Sequence, residues 1–131
     1  MSHVTQFLDA MERKDGDALS PHLAEDVVLK SPVLVDPISG KADTVRVLKV
    51  LLGAAGTFHV RDTVELDRRV IVFLEITSGE AQIEGVDDVR LDAQGLIRSM
   101  TITWRPLPSV VLMQQKIAAA LGGTPLTLAP L

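Results

Sequence analysis

The chain has no cysteine and no tyrosine, and among its 131 residues there are only one tryptophan, three phenylalanines and three histidines. Without cysteine there can be no disulfide framework and no thiol chemistry. Without tyrosine no phenol is available as a hydrogen-bond donor in a site. His3, His22 and His59 show no metal-ligand spacing and no HExxH-type cluster, so no metal site is expected. The glycines near 53–56 and 122–123 do not lead from a strand into a helix, so no phosphate-binding loop and no cofactor are expected. Long apolar runs are missing as well. VIVFL and SVVLM fall far short of the ~20 residues a membrane span needs. With a formal net charge of -4 and scattered lysines and arginines, there is no basic stripe to track phosphates, which argues against nucleic acid. The first residues, MSHVTQFLDAMERKDGD, lack the apolar stretch of a secretory leader. Together these absences point to a soluble, cytoplasmic protein without a membrane or nucleic-acid partner.

Hydrophobic residues make up 47% of the chain, and a single domain of this length can bury roughly two-thirds of its surface. Val4, Phe7, Leu8 and Met11 recur at helical spacing over 3–14. Asp17 suits the cap of a short second helix, and Ser20-Pro21 the start of another that ends near residues 24–26. A short strand is expected at 27–32, halted by Pro32, then a loop at 33–40 and a helix from about Lys41 to Leu52. Strand patterns follow at 57–66, 69–77, 81–91 and 96–105. Pro106 and Pro108 stop the last of these, and Ser109 is the expected cap of a final helix to about Leu121. This order, helices first and an antiparallel sheet after, predicts an α+β fold with the helices on one sheet face. The domain is expected to span 1–121, with a tail at 122–131 that is either loose or folded back on the body. A strongly curved sheet against helices leaves a concavity suited to a small molecule.

IEGVDDVRL, residues 83–91, alternates as a half-buried strand does. One face carries Glu84, Val86, Asp88 and Arg90; the other carries Ile83, Gly85, Asp87, Val89 and Leu91. A carboxylate therefore stands in the middle of an apolar face. If Asp87 is buried, desolvation raises its pKa above the usual ~3.9. Two plainer readings compete: a β-bulge at Gly85 that turns Asp87 to solvent, or burial beside a neighbouring arginine.

Two segments, LAEDVVLKSPVLVDPISG (23–40) and VDDVRLDAQGLIRSMTITW (86–104), resemble the nuclear transport factor two-like superfamily, in particular its SnoaL-like and ketosteroid-isomerase-like branches. The resemblance covers nearly the whole chain except the tail. It implies a cone-shaped, curved antiparallel sheet packed on N-terminal helices (a cystatin-like α+β barrel), with a deep apolar pocket between them, and often a homodimer through the outer sheet face. It also implies that Asp87 matches the acid that donates a hydrogen bond to a substrate oxyanion in ketosteroid isomerases, and that Trp104 matches an aromatic beside that site. The chain departs from the isomerase pattern at two places. Ser31, in Lys30-Ser31-Pro32, stands where the isomerases carry their aspartate base, and Phe7 stands where they carry a tyrosine donor. A hydroxyl without a nearby base cannot shuttle protons near neutral pH, so classical ketosteroid isomerase activity is not expected.

Two functional classes follow. In the first, the protein is an isomerase- or cyclase-like enzyme acting on an apolar small molecule, with Asp87 as acid or oxyanion donor and Trp104, Phe7, Met100 and Ser31 shaping the site. In the second, it is a non-catalytic ligand-binding or dimerisation domain of the same fold. Asp26, Asp36, Asp62 and Glu75 are the acids that could supply a second proton-transfer group. Trp104 shares a strand face with Ile102 and Met100, so it either lines the pocket or fills the core. An epoxide-hydrolase-like site would need an inward arginine, and by alternation at most one of Arg98 and Arg105 can face inward.

Overall fold

Ser2 caps the first helix, its Oγ accepting from the Thr5 amide at 3.1 Å, and α1 runs over His3–Glu12. The computed structural model describes residues 1–127. After α1 come two single turns of 3-10 helix, Gly16–Ala18 and Ser20–His22. The remaining elements are β1 (Leu23–Lys30), β2 (Ile38–Ser39), α2 (Lys41–Ala54), β3 (Thr57–Leu66), β4 (Arg69–Ser78), β5 (Ala81–Leu91), β6 (Ile97–Arg105) and α3 (Leu107–Leu121). This is the expected α+β arrangement: N-terminal helices, a curved six-stranded sheet in the order β2-β1-β6-β5-β4-β3, and a C-terminal helix.

Several local expectations need correction. The helix expected at 20–26 shrinks to one turn and β1 begins at Leu23, because Leu23, Ala24, Val27 and Leu29 are all buried under the helices. β1 lies parallel to β6, with a register shift between Leu23 and Val28, so the sheet is mixed where a purely antiparallel one was expected. Ile38–Ser39, expected in a loop, pairs with Val28 and Leu29 as a short edge strand. Asp17 caps nothing; it accepts from the Lys49 ammonium at 2.7 Å. Ser109 lies inside α3, whose cap residue is Pro106, and its Oγ accepts from the Gln82 amide at 3.2 Å. The start of the tail folds back. Gln114 donates to the Thr124 carbonyl at 3.0 Å and accepts from the Leu126 amide at 2.7 Å. The end of the expected tail, 128–131, lies outside the described residues.

The core forms where the amphipathic faces meet. Phe7 and Met11 of α1, Leu48 and Leu51 of α2, and Met113 and Ile117 of α3 close over the inner face of β3–β6. β5 is the central strand of this face, hydrogen-bonded on both sides, to β4 from Arg69↔Arg90 through Ser78↔Ala81 and to β6 from Glu84↔Arg105 through Arg90↔Ser99. Each strand buries alternate residues, and the pleat decides which side chains reach the helices.

Candidate functional site

The alternation read in IEGVDDVRL holds through Val89: Ile83, Gly85, Asp87 and Val89 are buried while Glu84, Val86 and Arg90 face out. Pairing on both sides is continuous through Gly85, which removes the bulge alternative. The arginine alternative fails too. Arg69 and Arg90 reach Asp88, at 2.9 Å and 3.8 Å. Asp87 is 4% exposed, and its Oδ1 has no hydrogen-bond partner among the described residues. Burial alone pushes this carboxyl up to about 7, because no cation and no donor among the described residues offsets the lost hydration.

Asp87 lines a small cavity with Met11, Leu48, Leu51, Phe58, Leu74, Ile76, Met100, Ile102 and Trp104. Its volume is about 10 Å³, near the minimum that holds one water. Apart from Asp87 the lining is apolar except for the indole of Trp104, whose Nε1 is also buried and without a partner among the described residues. Asp87 and Trp104 belong to adjacent strands: Asp87 pairs with Ile102, and Trp104 pairs with Gly85. They are therefore diagonal neighbours on one face, roughly 7–8 Å apart at the backbone and within reach of long side chains.

The structure thus brings Asp87, Trp104 and Met100 together. The two other candidates lie apart from the cavity lining. Phe7, 1% exposed, is a core residue of α1. Ser31 closes a turn, its Oγ accepting from the Val33 amide at 3.2 Å. Sequence reasoning missed Met11, Leu48, Leu51, Phe58, Leu74 and Ile76. Their burial was visible as periodicity, but nothing in the pattern separates a cavity wall from ordinary core.

None of the proposed second acids lines the cavity. Asp26, Asp36 and Asp62 are exposed. Alternation grouped Asp62 with Phe58 and Val60, but a register shift between Val60 and Asp62 puts Asp62 opposite Phe73 on the outer face. Glu75 faces outward and holds Arg61 at 2.6 Å. Neither arginine of the epoxide-hydrolase-like set turns inward: Arg98 is exposed, and Arg105, also exposed, pairs with Glu84 at 3.1 Å. His3 and His22 meet at 3.0 Å between Nδ1 atoms. Burial and the adjacent His3 lower the pKa of His22. Among the described residues no cluster of three or more His, Cys, Asp or Glu could hold a metal.

The architecture is the cystatin-like fold of the nuclear transport factor two-like superfamily. Within it the chain belongs to the SnoaL-like domain family, whose model matches residues 4–100. That match contains Asp87 and Met100; Trp104 and α3 lie beyond it. The chain resembles a steroid delta-isomerase from Pseudomonas aeruginosa at 21% identity and a TM-score of 0.85, covering 92% of this chain and 89% of that one. A protein with a cystatin-like fold from Silicibacter pomeroyi is likewise 21% identical, with a TM-score of 0.87 and coverage of 92% and 85%. SalBIII, an epoxide hydrolase/cyclase-like enzyme of pyran ring formation in the polyether salinomycin, is 20% identical with a TM-score of 0.69 and coverage of 80% and 89%. At such identities the likeness shows the fold alone. No curated protein matches the chain.

Proposed function

We propose that this protein binds an uncharged, largely apolar small molecule in the cavity between the helices and the inner sheet face, and that protonated Asp87 donates a hydrogen bond to it. One observation carries the reading: a carboxyl 4% exposed, without a partner among the described residues, in an otherwise apolar wall. Leaving a buried polar group unsatisfied costs about 1–3 kcal/mol, and a ligand acceptor removes that cost. Near neutral pH a group with a pKa of about 7 is protonated in a large fraction of molecules and can donate. The cavity of about 10 Å³ widens only if its walls move. Met11 and Met100, the unbranched side chains among them, are suited to repacking around a guest.

An isomerase- or cyclase-like reaction using Asp87 as acid or oxyanion donor is the enzymatic form of this reading. The steroid delta-isomerase and SalBIII likenesses are compatible with it. Among the described residues no second titratable side chain lines the cavity, so any base or nucleophile must come from the substrate itself or from solvent. The geometry therefore favours binding with carbonyl polarisation over proton shuttling between two protein groups. A cytoplasmic setting, inferred from the cysteine-free composition, belongs to the same reading.

The test uses two probes of one shape, cyclohexanone and methylenecyclohexane, followed by chemical-shift titration. Wild type should prefer the ketone by at least about 3–10-fold, the value of one hydrogen bond, and Asp87→Leu, which has no donor where asparagine would keep one, should lower that preference by a similar factor. Equal affinity of wild type for both probes, or no binding of either, removes the reading.

A second reading concerns assembly. On the outer face Phe73 and Val86, 40% and 38% exposed, are cross-strand partners. They line a groove of about 460 Å³ with Arg61, Glu75, Glu84 and Arg105. An apolar strip edged by both charge signs suits a second copy of the same face, turned by a two-fold axis. Light scattering should give a dimer that Phe73→Glu converts to monomer. A monomeric wild type at 100 μM would contradict this.

A further inference from the structure

Gly85 stands in the interior of β5, where glycine has no side chain to pack and weakens a strand. Its surroundings supply a reason. A Cβ built there would lie 2.8 Å from Leu74 Cδ1 and 2.9 Å from Trp104 Cδ1, well inside the ~3.5–4.0 Å optimum for carbon pairs. In an indole, Cδ1 is bonded to Nε1. The edge of Trp104 that rests on Gly85 is therefore the edge that carries the N–H. Gly85 and Asp87 are two residues apart on the same buried face, about 6.6 Å along the strand. The missing Cβ thus leaves room for the N–H edge beside the carboxyl, and both polar atoms are buried without partners among the described residues.

We propose that Gly85 is a positioning residue: by lacking a side chain it sets the Trp104 N–H beside Asp87, and the two form a paired-donor site for the oxygen of an uncharged carbonyl compound. This rests on the ligand-site reading above and names the chemistry the site selects. Both groups donate, so the complementary ligand atom is an acceptor with two lone pairs. Among the described residues no cation lines the cavity, so a carboxylate or phosphate would enter without charge compensation at a heavy desolvation cost. Ketones, aldehydes and quinones remain. Leu74 rests on Gly85 as well as Trp104 does, so enlarging position 85 moves two walls of the cavity together.

Trp104 is the chain's only tryptophan, so a 15N–1H correlation spectrum holds a single indole cross-peak, which needs no ligand to be read. In wild type that peak should shift with pH with a midpoint near 7, following the Asp87 carboxyl, and Asp87→Asn should abolish the shift. Gly85→Ala should cut its amplitude by at least half, and so should Leu74→Ala/Gly85→Ala, in which both Leu74 contacts are gone and only the contact with Trp104 remains. A merely structural glycine would lower the melting temperature of these variants and leave the amplitude intact, which would overturn the proposal. So would an indole peak flat from pH 5 to 9 while the carboxyl carbon of Asp87 titrates near 7; in that case the simpler binding reading survives. If neither Gly85 variant folds, Trp104→Phe decides. It keeps a six-membered aromatic ring and loses the donor, and should reduce the preference for cyclohexanone over methylenecyclohexane by about 3–10-fold. An unchanged preference in that variant would leave Asp87 as the sole donor and refute the pair.

Discussion

On the outer face of β5, Asp88 receives Arg69 Nε and an Nη at 2.9 Å and 3.0 Å, with Arg90 a further 3.8 Å away. One residue earlier, on the inner face, Asp87 meets only hydrocarbon and the edge of an indole. The residue type is the same and the backbone is continuous; the pleat alone separates them. Outside, two guanidinium groups compensate a partly hydrated charge. Inside, nothing compensates, and the carboxyl keeps its proton to about 7. A structural ion pair and a candidate binding group thus occupy adjacent positions, which shows how far solvation, more than residue identity, assigns a role.

The comparison can be broken by wetting the dry side. Phe7, 1% exposed, is part of the α1 cover. Phe7→Ala should cost about 3–5 kcal/mol in chemical denaturation. It should also bring the Asp87 pKa down toward the ordinary range as water enters. A pKa unmoved in this variant would mean that α1 is not what keeps Asp87 dry.

The next effect follows from linkage. The folded pKa of Asp87, about 7, lies above its unfolded value of 3.8. At intermediate pH the folded state therefore binds more protons, and stability falls as pH rises. This contribution is fully present below 3.8, is lost as pH climbs through about 7, and is flat above. At about 1.4 kcal/mol per unit, the loss is on the order of a few kcal/mol. Denaturation curves at pH 4 and 8 should show Asp87→Asn with a smaller change than wild type by roughly 2–4 kcal/mol. Equal pH dependence in the two proteins would contradict the buried neutral acid.

The smallest effect belongs to the outer face. Asp88→Asn breaks a partly exposed pair and should cost about 1 kcal/mol or less, reduced further in 1 M salt. A cost above about 3 kcal/mol would show that the outer pair is buried, for example by a partner subunit, and would sharpen the dimer reading.

The legible part of the fold was the part with strict periodicity. β4, β5 and β6 and helix α2 were placed within a few residues, and the inward turn of Asp87 follows from alternation over a long central strand. The illegible parts depend on partners distant in sequence. The early start of β1 and its parallel pairing with β6 are set by burial against the helices, and a short run such as LAED carries no sign of it. The register shift in β3 reversed the face of Asp62 because a bulge leaves no mark in a hydrophobic pattern. Alternation leaves Trp104 as either pocket or core. Its unpartnered N–H, and the glycine that gives it room, depend on a cross-strand register that one strand's sequence does not contain. The resemblance points to Ser31 by loop position alone, and in the structure its hydroxyl accepts from the local Val33 amide.

The central claim is that one carboxyl is held neutral inside an apolar wall. Its most direct test is a carboxyl-carbon NMR titration of Asp87, with Asp87→Asn assigning the signal. The account predicts a midpoint near 7. A midpoint at or below ~4, the range of an ordinary aspartate, would place Asp87 in solvent or in an ion pair and would contradict it.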